Sequence, residues 1–339
     1  MDKFLRDSLL FMADHRERIP FAEKHNRDCF DRSKLLRHIG EWDRYATCEQ
    51  NPQRIFFEQR KDLGDLEIVE IQTCLDLKMP VYLLHPSQKK GAEKLPVTVL
   101  WHGHNHTSRS MTASQEDPSL YDQQDEEGMQ LAIRLCQQGF LVVVPEIMGF
   151  GSRRLQDHAK EGKEEKNSCY RLGSFLLMAG KTIAGLRAHE VLAVVDYLCT
   201  RDDVDPLRIG MMGHSGGALI AMLASLLDER VKVTILANYA STFEASILSV
   251  SHCLCNYIPG LSAVAEMADL IQWIAPRDLV LLAGRNDRLF PIDAAQQCMN
   301  QVHQFYEQKG ALPSLLTAIT DSDHQLQSEP ILRFFVERL

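Results

Sequence analysis

Arg208-Ile209-Gly210-Met211-Met212-Gly213-His214-Ser215-Gly216-Gly217-Ala218 is the stretch on which the fold turns. An apolar run leads into it, and a helix-forming segment from Ala218 to Leu227 leads out. This is a strand, a sharp turn and a helix with a serine at the apex, the context that gives the pattern G-x-S-x-G its meaning. Glycine two places either side of Ser215 lets the backbone turn tightly and lets strand and helix approach, pushing the hydroxyl toward the solvent end of a sheet. Outside such a context the same five residues are an ordinary glycine-rich turn.

Working outward, the flanking sequence supplies the sheet. Residues 66–71 and 79–84 read as two strands at the antiparallel start of a mixed sheet. After a polar turn at Ser87 to Glu93, apolar strands at 97–101, 141–144, 209–212, 231–236, 279–283 and 315–319 alternate with helical segments. The helices are expected at 126–138, 171–199, 218–227, 262–273, 291–308 and 329–338. Buried strands separated by helices predict an α/β fold whose mainly parallel sheet carries helices on both faces, with ligands bound beyond the carboxyl ends of the strands. Two loops are long, Thr107 to Asp125 and Phe150 to Asn167, and Lys160 to Lys166 reads as a solvated excursion.

The first residues differ. Phe4, Leu5, Leu9, Phe11, Met12, Leu35, Leu36, Ile39 and Trp42 fall at helical spacing broken by Pro20 and Pro52. They predict a helical extension over residues 1–62 ahead of a catalytic domain over 63–339. Its apolar face would pack on that domain or form a homodimer contact.

The 339 residues, 45% hydrophobic, can bury a large core. A net charge of -9, from 46 acidic against 37 basic residues, leaves no polybasic stripe for a phosphate backbone, so nucleic acid is excluded as a partner. No apolar run has the length of a bilayer span, and Met1-Asp2-Lys3-Phe4-Leu5-Arg6-Asp7 interrupts any secretion signal, so a cytoplasmic location without membrane attachment is expected. Nine scattered cysteines fit reduced thiols better than a disulfide framework. Cys253 and Cys255 lack a second metal-spaced pair and read as packing.

A serine hydroxyl needs a base, and the base needs an acid to hold its tautomer and stabilise its charge. Both follow late strands, in the order serine, acid, histidine: Asp287 in Gly284-Arg285-Asn286-Asp287, and His324 in Asp321-Ser322-Asp323-His324. Asp321 and Asp323 are rival acids, but an aspartate next to His324 in a loop generally points away from the imidazole, and Asp269 and Asp278 are not in a comparable glycine loop beyond a strand. Acyl transfer also needs donors aimed at a developing oxyanion, for which the backbone N–H of Gly216 and one from Gly103 or His104 are the natural pair. His102, His104 and His106 at alternate positions could begin a metal site instead, but Thr107-Ser108-Arg109 follow where metallohydrolase motifs continue with Asp-His. No metal or other cofactor is expected.

Over residues 65–339 these blocks resemble the α/β-hydrolase superfamily, specifically its acetyl xylan esterase-like and dienelactone-hydrolase-like branch. Besides the segments around Ser215, Asp287 and His324, the resemblance rests on Leu100-Trp101-His102-Gly103-His104, Pro145-Glu146-Ile147-Met148-Gly149-Phe150-Gly151, Cys253 to Leu261 and Ile274-Ala275-Pro276-Arg277. It implies Ser215 as nucleophile, Asp287 as acid, His324 as base and the Gly103–His104 loop as oxyanion contributor. Substrate contacts are sought among Trp101, His102, His214, Tyr257, Arg153 and Arg285, the arginines as anchors for an acidic substrate. The implied activity is a serine esterase for small, acetyl-like esters, including those of sugars. Alternatives are a lactone hydrolase, a serine amidase or exopeptidase, and a catalytically silent scaffold for binding, whose sign would be a missing triad member.

Overall fold

The computed structural model describes residues 31–40, 50–61, 63–74, 77–87, 94–104, 106–112, 126–155 and 167–339. In chain order these form α1 (Arg32–Ile39), β1 (Gln53–Glu58), β2 (Asp65–Gln72), β3 (Lys78–His85), β4 (Leu95–Trp101), α2 (Ser108–Thr112), α3 (Glu126–Gln137) and β5 (Leu141–Pro145). There follow α4 (Cys169–Met178), α5 (Ile183–Thr200), β6 (Val204–His214), α6 (Gly216–Leu227), β7 (Val231–Ala237), α7 (Met267–Ile271), β8 (Asp278–Gly284), α8 (Ile292–Gln308), β9 (Leu315–Thr320) and α9 (Ser328–Arg338).

The strands make one nine-stranded sheet in the order β1-β2-β3-β5-β4-β6-β7-β8-β9. β1, β2 and β3 are mutually antiparallel and β3 meets β5 antiparallel, while every pair from β5 across to β9 is parallel. All seven residues of β4 and all five of β5 are buried, as befits strands covered on both faces. Side chains alternate between the faces. Val97, Val99 and Trp101 enter the core shared with α1, α5, α6 and α8, whereas Leu100 enters the core shared with α3 and α9. Every residue of α6 is buried, so the helix after Ser215 is locked between the sheet and its neighbours.

The expected strands from 66 to 319 all form, with ends displaced by a few residues. Three differences have local causes. Residues 53–58, expected within the helical extension, are the edge strand β1: its ladder needs only β2, so Ile55 and Phe57 stay exposed and no alternating apolar signal is required. The helix expected over 171–199 is two helices, because Gly180 at φ 69° ends α4 and Thr182 caps α5 by accepting from the Gly185 N–H at 2.9 Å. The helix expected over 262–273 is helical only in α7, between short 3-10 turns at Leu261–Ala263 and Gln272–Ile274. Of the extension's apolar residues, Leu35 and Ile39 of α1 are fully buried in the main core, while Phe4 to Met12 and Trp42 lie outside the described residues.

Candidate active site

Ser215 occupies the turn between β6 and α6 at φ 54° and ψ −123°, a backbone region that residues with a Cβ rarely adopt. Such strain costs on the order of 1–3 kcal/mol and persists because the surroundings hold it. The Ser215 N–H donates to the Ala237 carbonyl at 2.9 Å, and the Ser215 carbonyl accepts from the Ala218 N–H at 2.9 Å, so sheet and helix clamp the serine from either side. The glycines are needed for contact: a Cβ on Gly217 would stand 2.2 Å from the Trp101 carbonyl oxygen.

Asp287 and His324 come from the loops beyond β8 and β9. His324 Nε2 lies 2.8 Å from Ser215 Oγ, and His324 Nδ1 lies 2.7 Å from Asp287 Oδ2. The carboxylate is buried and saturated. Its Oδ1 accepts from the N–H groups of Leu289 at 2.8 Å and Phe290 at 3.1 Å, while Oδ2 also accepts from Asn238 Nδ2 at 3.1 Å. Burial alone would raise the Asp287 pKa, but the His324 ring, the Phe290 N–H and the Asn238 amide hold it below the usual carboxylate value. The structure thus brings Ser215, His324 and Asp287 into one hydrogen-bonded line.

The rival acids are occupied elsewhere. Asp321 is exposed and pairs with Arg285, Asp269 closes the capping box of α7, and Asp278 faces Arg338. Asp323 is exposed and offers its backbone carbonyl to Asn238.

Aromatic rings box in the imidazole. Phe290 stacks on His324 with centroids 5.7 Å apart and planes 11° apart. His214 lies on another side at 5.2 Å. Burial, reinforced by neighbouring His324 and His106, drives the His214 pKa down to about 3, so this ring is neutral. His252 packs against Phe290 and is also pushed down by burial. Its Nε2 meets Ser246 Oγ at 3.0 Å, and that hydroxyl donates to the Leu289 carbonyl at 2.6 Å, tying a ring to the Asp287 loop.

Several residues sought as substrate contacts are buried structural groups. Trp101 and His102 are each 2% exposed, and His214 is set against Gly103, where a Cβ would be 3.0 Å from its Nδ1. Arg153 is no anchor at the rim. It is buried in an ion pair with Glu190 and also donates to the Glu146 carbonyl at 3.0 Å, because a guanidinium inside this loop must find its acceptors within the protein. Arg285 is exposed and held by Asp321 at 2.7 Å. Tyr257 is partly buried and donates its hydroxyl to the Ile247 carbonyl at 3.1 Å.

The histidines of the loop after β4 diverge. His102 Nε2 faces Glu146 Oε1 at 3.8 Å, whereas the His104 ring lies over Gly216, where a Cβ would approach to 2.5 Å. His104 Nε2 meets Cys255 Sγ at 3.0 Å, beside Cys253 and Cys169. The reading of Cys253 and Cys255 as simple packing therefore misses their two neighbours, which are remote in sequence. The His104 ring meets Gly216 and Gly103 meets His214, so the loop after β4 approaches the two residues that flank Ser215. Among residues that sequence reasoning missed, Asn238 had a faint signal: a polar residue directly after the apolar run of β7. A cleft at the opposite edge of the sheet, lined by Arg32, Asp196, Arg230 and Arg277, is remote from Ser215 and filled with ion pairs.

A serine at positive φ between the parallel strand β6 and the helix α6, with the acid beyond β8 and the histidine beyond β9, decides the architecture. The fold is that of the α/β hydrolases. Solved structures with this hydrolase fold align over most of the chain. One from Bacteroides fragilis, named a "putative acetyl xylan esterase", is 17% identical with a TM-score of 0.78, covering 100% of this chain and 95% of its own. A glucuronoyl esterase from Solibacter usitatus is 16% identical with a TM-score of 0.63, covering 90% and 91%. An acetyl xylan esterase from Paenibacillus sp. R4 is 16% identical with a TM-score of 0.55, covering 91% and 100%. In sequence, the Bacillus subtilis (strain 168) protein named "Putative hydrolase YtaP" is 26% identical over 309 residues, 86% of this chain and 92% of that one. No protein-family model matches the chain. Among the described residues, no helix is long and apolar enough to cross a membrane.

Proposed function

We propose that this protein is a serine carboxylic-ester hydrolase for short acyl esters, with acetylated sugars as the leading substrate class. The observation that carries the reading is the line from Ser215 Oγ through both nitrogens of His324 to the buried Asp287 carboxylate. With Asp287 ionised, the His324 Nδ1–H donates to it, leaving Nε2 as the acceptor for the serine proton. The resemblance of this fold to structures named for acetyl xylan and glucuronoyl esterases supports an ester as the scissile bond.

In the first half-reaction, Ser215 Oγ attacks the ester carbonyl carbon as its proton passes to His324 Nε2. The tetrahedral oxyanion would be held by the Gly216 N–H and one from the Gly103–His104 loop, and His324 then gives the proton to the leaving alcohol. Water repeats the sequence on the acyl-enzyme and releases the acid. His214 contributes by staying neutral: a second imidazolium beside His324 would disfavour the proton that His324 must accept.

The test is hydrolysis of p-nitrophenyl acetate, butyrate and octanoate and of an acetylated sugar by wild type and Ser215→Ala. Wild-type activity falling with acyl length, reduced at least about 10³-fold in the variant, is expected. A fluorophosphonate should label Ser215 stoichiometrically, as located by peptide mass spectrometry. Activity surviving in Ser215→Ala overturns the reading.

A further inference from the structure

We propose that His104, Cys169, Cys253 and Cys255 together bind one zinc(II) ion, which ties the loop after β4 to two distant segments beside Ser215. The four ligand atoms, His104 Nε2 and three Sγ atoms, all lie within 4.8 Å of one another. Ligands held tetrahedrally at zinc–sulfur and zinc–nitrogen distances of about 2.3 and 2.1 Å stand roughly 3.5–3.8 Å apart, so the set closes around an ion with small side-chain shifts. Thiolate and imidazole together select zinc over magnesium or calcium, which prefer oxygen.

A second observation concerns charge. Arg187 is 4% exposed, and its Nη2 donates to Cys169 Sγ at 3.0 Å and to the Met148 carbonyl. A buried guanidinium needs a counter-charge. Three thiolates around a dication leave one net negative charge, and Arg187 matches it. Binding releases the thiol protons to solvent, with the imidazole neutral and no change in oxidation state.

The ligands come from three places: His104 from the loop after β4, Cys169 from the first residue of α4, and Cys253 and Cys255 from the segment before and within a short 3-10 turn. Four protein ligands leave no open position for water, so the ion is structural and does not activate a nucleophile. The ring of His104 lies against Gly216, so whatever fixes that ring also fixes the wall beside Ser215. The site itself does not depend on the esterase reading.

Metal content of the reduced full-length protein tests this, after exposure to zinc and removal of excess metal, for wild type and Ser215→Ala alike. About one zinc per chain is expected in both, released on titration of the thiols with a mercurial. Cobalt(II) in place of zinc should give thiolate-to-metal charge-transfer absorption and the intense visible bands of a tetrahedral site. Cys253→Ser and His104→Ala should each weaken zinc binding at least tenfold, roughly the lower range for disturbing a metal site. Since a variant can fail to fold, the cobalt spectrum of unmodified protein stands as the independent readout. Zinc-free protein with reduced thiols, a six-coordinate cobalt spectrum, zinc retained at full affinity by folded Cys253→Ser, or a disulfide among these cysteines in freshly prepared protein would each overturn the proposal.

Discussion

Asn238 Nδ2 lies 3.1 Å from Asp287 Oδ2, the same oxygen that meets His324 Nδ1. Asn238 follows β7 at φ 53° and also donates to the Asp323 carbonyl at 3.3 Å, so one amide holds the acid and the loop carrying the histidine. Asn238→Ala should therefore lower kcat by about tenfold, the scale of a lost hydrogen bond to a charged group, with KM little changed. Because the amide helps hold the Asp287 pKa down, its loss makes the carboxylate more basic and moves the acid limb of kcat/KM to higher pH. A pH–rate profile that keeps its acid limb would assign Asn238 to folding alone.

Asp287→Asn should preserve the packing but put the wrong group against His324 Nδ1. The ring then presents a proton to Ser215, and kcat should fall by about 10³–10⁴-fold. Steady-state kinetics beside a circular dichroism spectrum check this, and near-normal activity would require another acid.

Acid stability should depend on His214. Its folded pKa of about 3 lies below the ordinary histidine value of 6.5, so the unfolded chain alone takes up a proton between these limits. Stability therefore falls as pH drops from about 6.5 to 3, by up to about 1.4 kcal/mol per pH unit, and levels off below. Asp287 acts in a more acid window: its contribution is full above the unfolded carboxylate pKa and is lost as pH falls through its lower folded value. Urea unfolding at stepped pH should show a shallower slope between pH ~6 and ~4 for His214→Gln than for wild type.

The two arginines suggested by sequence should behave oppositely. Arg153→Ala strands the buried Glu190 carboxylate and should cost about 3–5 kcal/mol of stability. Arg285→Ala removes an exposed pair with Asp321 and should change stability by less than about 1 kcal/mol. Denaturant midpoints measured side by side decide this, and equal effects would contradict the burial of Arg153.

Gly217→Ala should fold poorly, because its new methyl would meet the Trp101 carbonyl where strand and helix cross. A melting temperature lowered by a few degrees, at roughly 1–2 °C per kcal/mol, is the expected readout for a chain of this size.

Much of this was legible in one dimension because local patterns carried it. Apolar runs of strand length separated by helical lengths specify buried parallel strands, and the turn at Ser215 needs its glycines next to it in sequence. The order of Ser215, Asp287 and His324 was equally readable, since each follows a strand and parallel strands deliver their loops to one edge. Only the tertiary structure decided what those loops meet. Asn238 reaches Asp287 across 49 residues, Arg153 turns inward to Glu190, and Cys169, Cys253 and Cys255 gather around His104. These are side-chain contacts between segments far apart along the chain, and a local residue pattern contains no record of which distant partner a buried polar group will find.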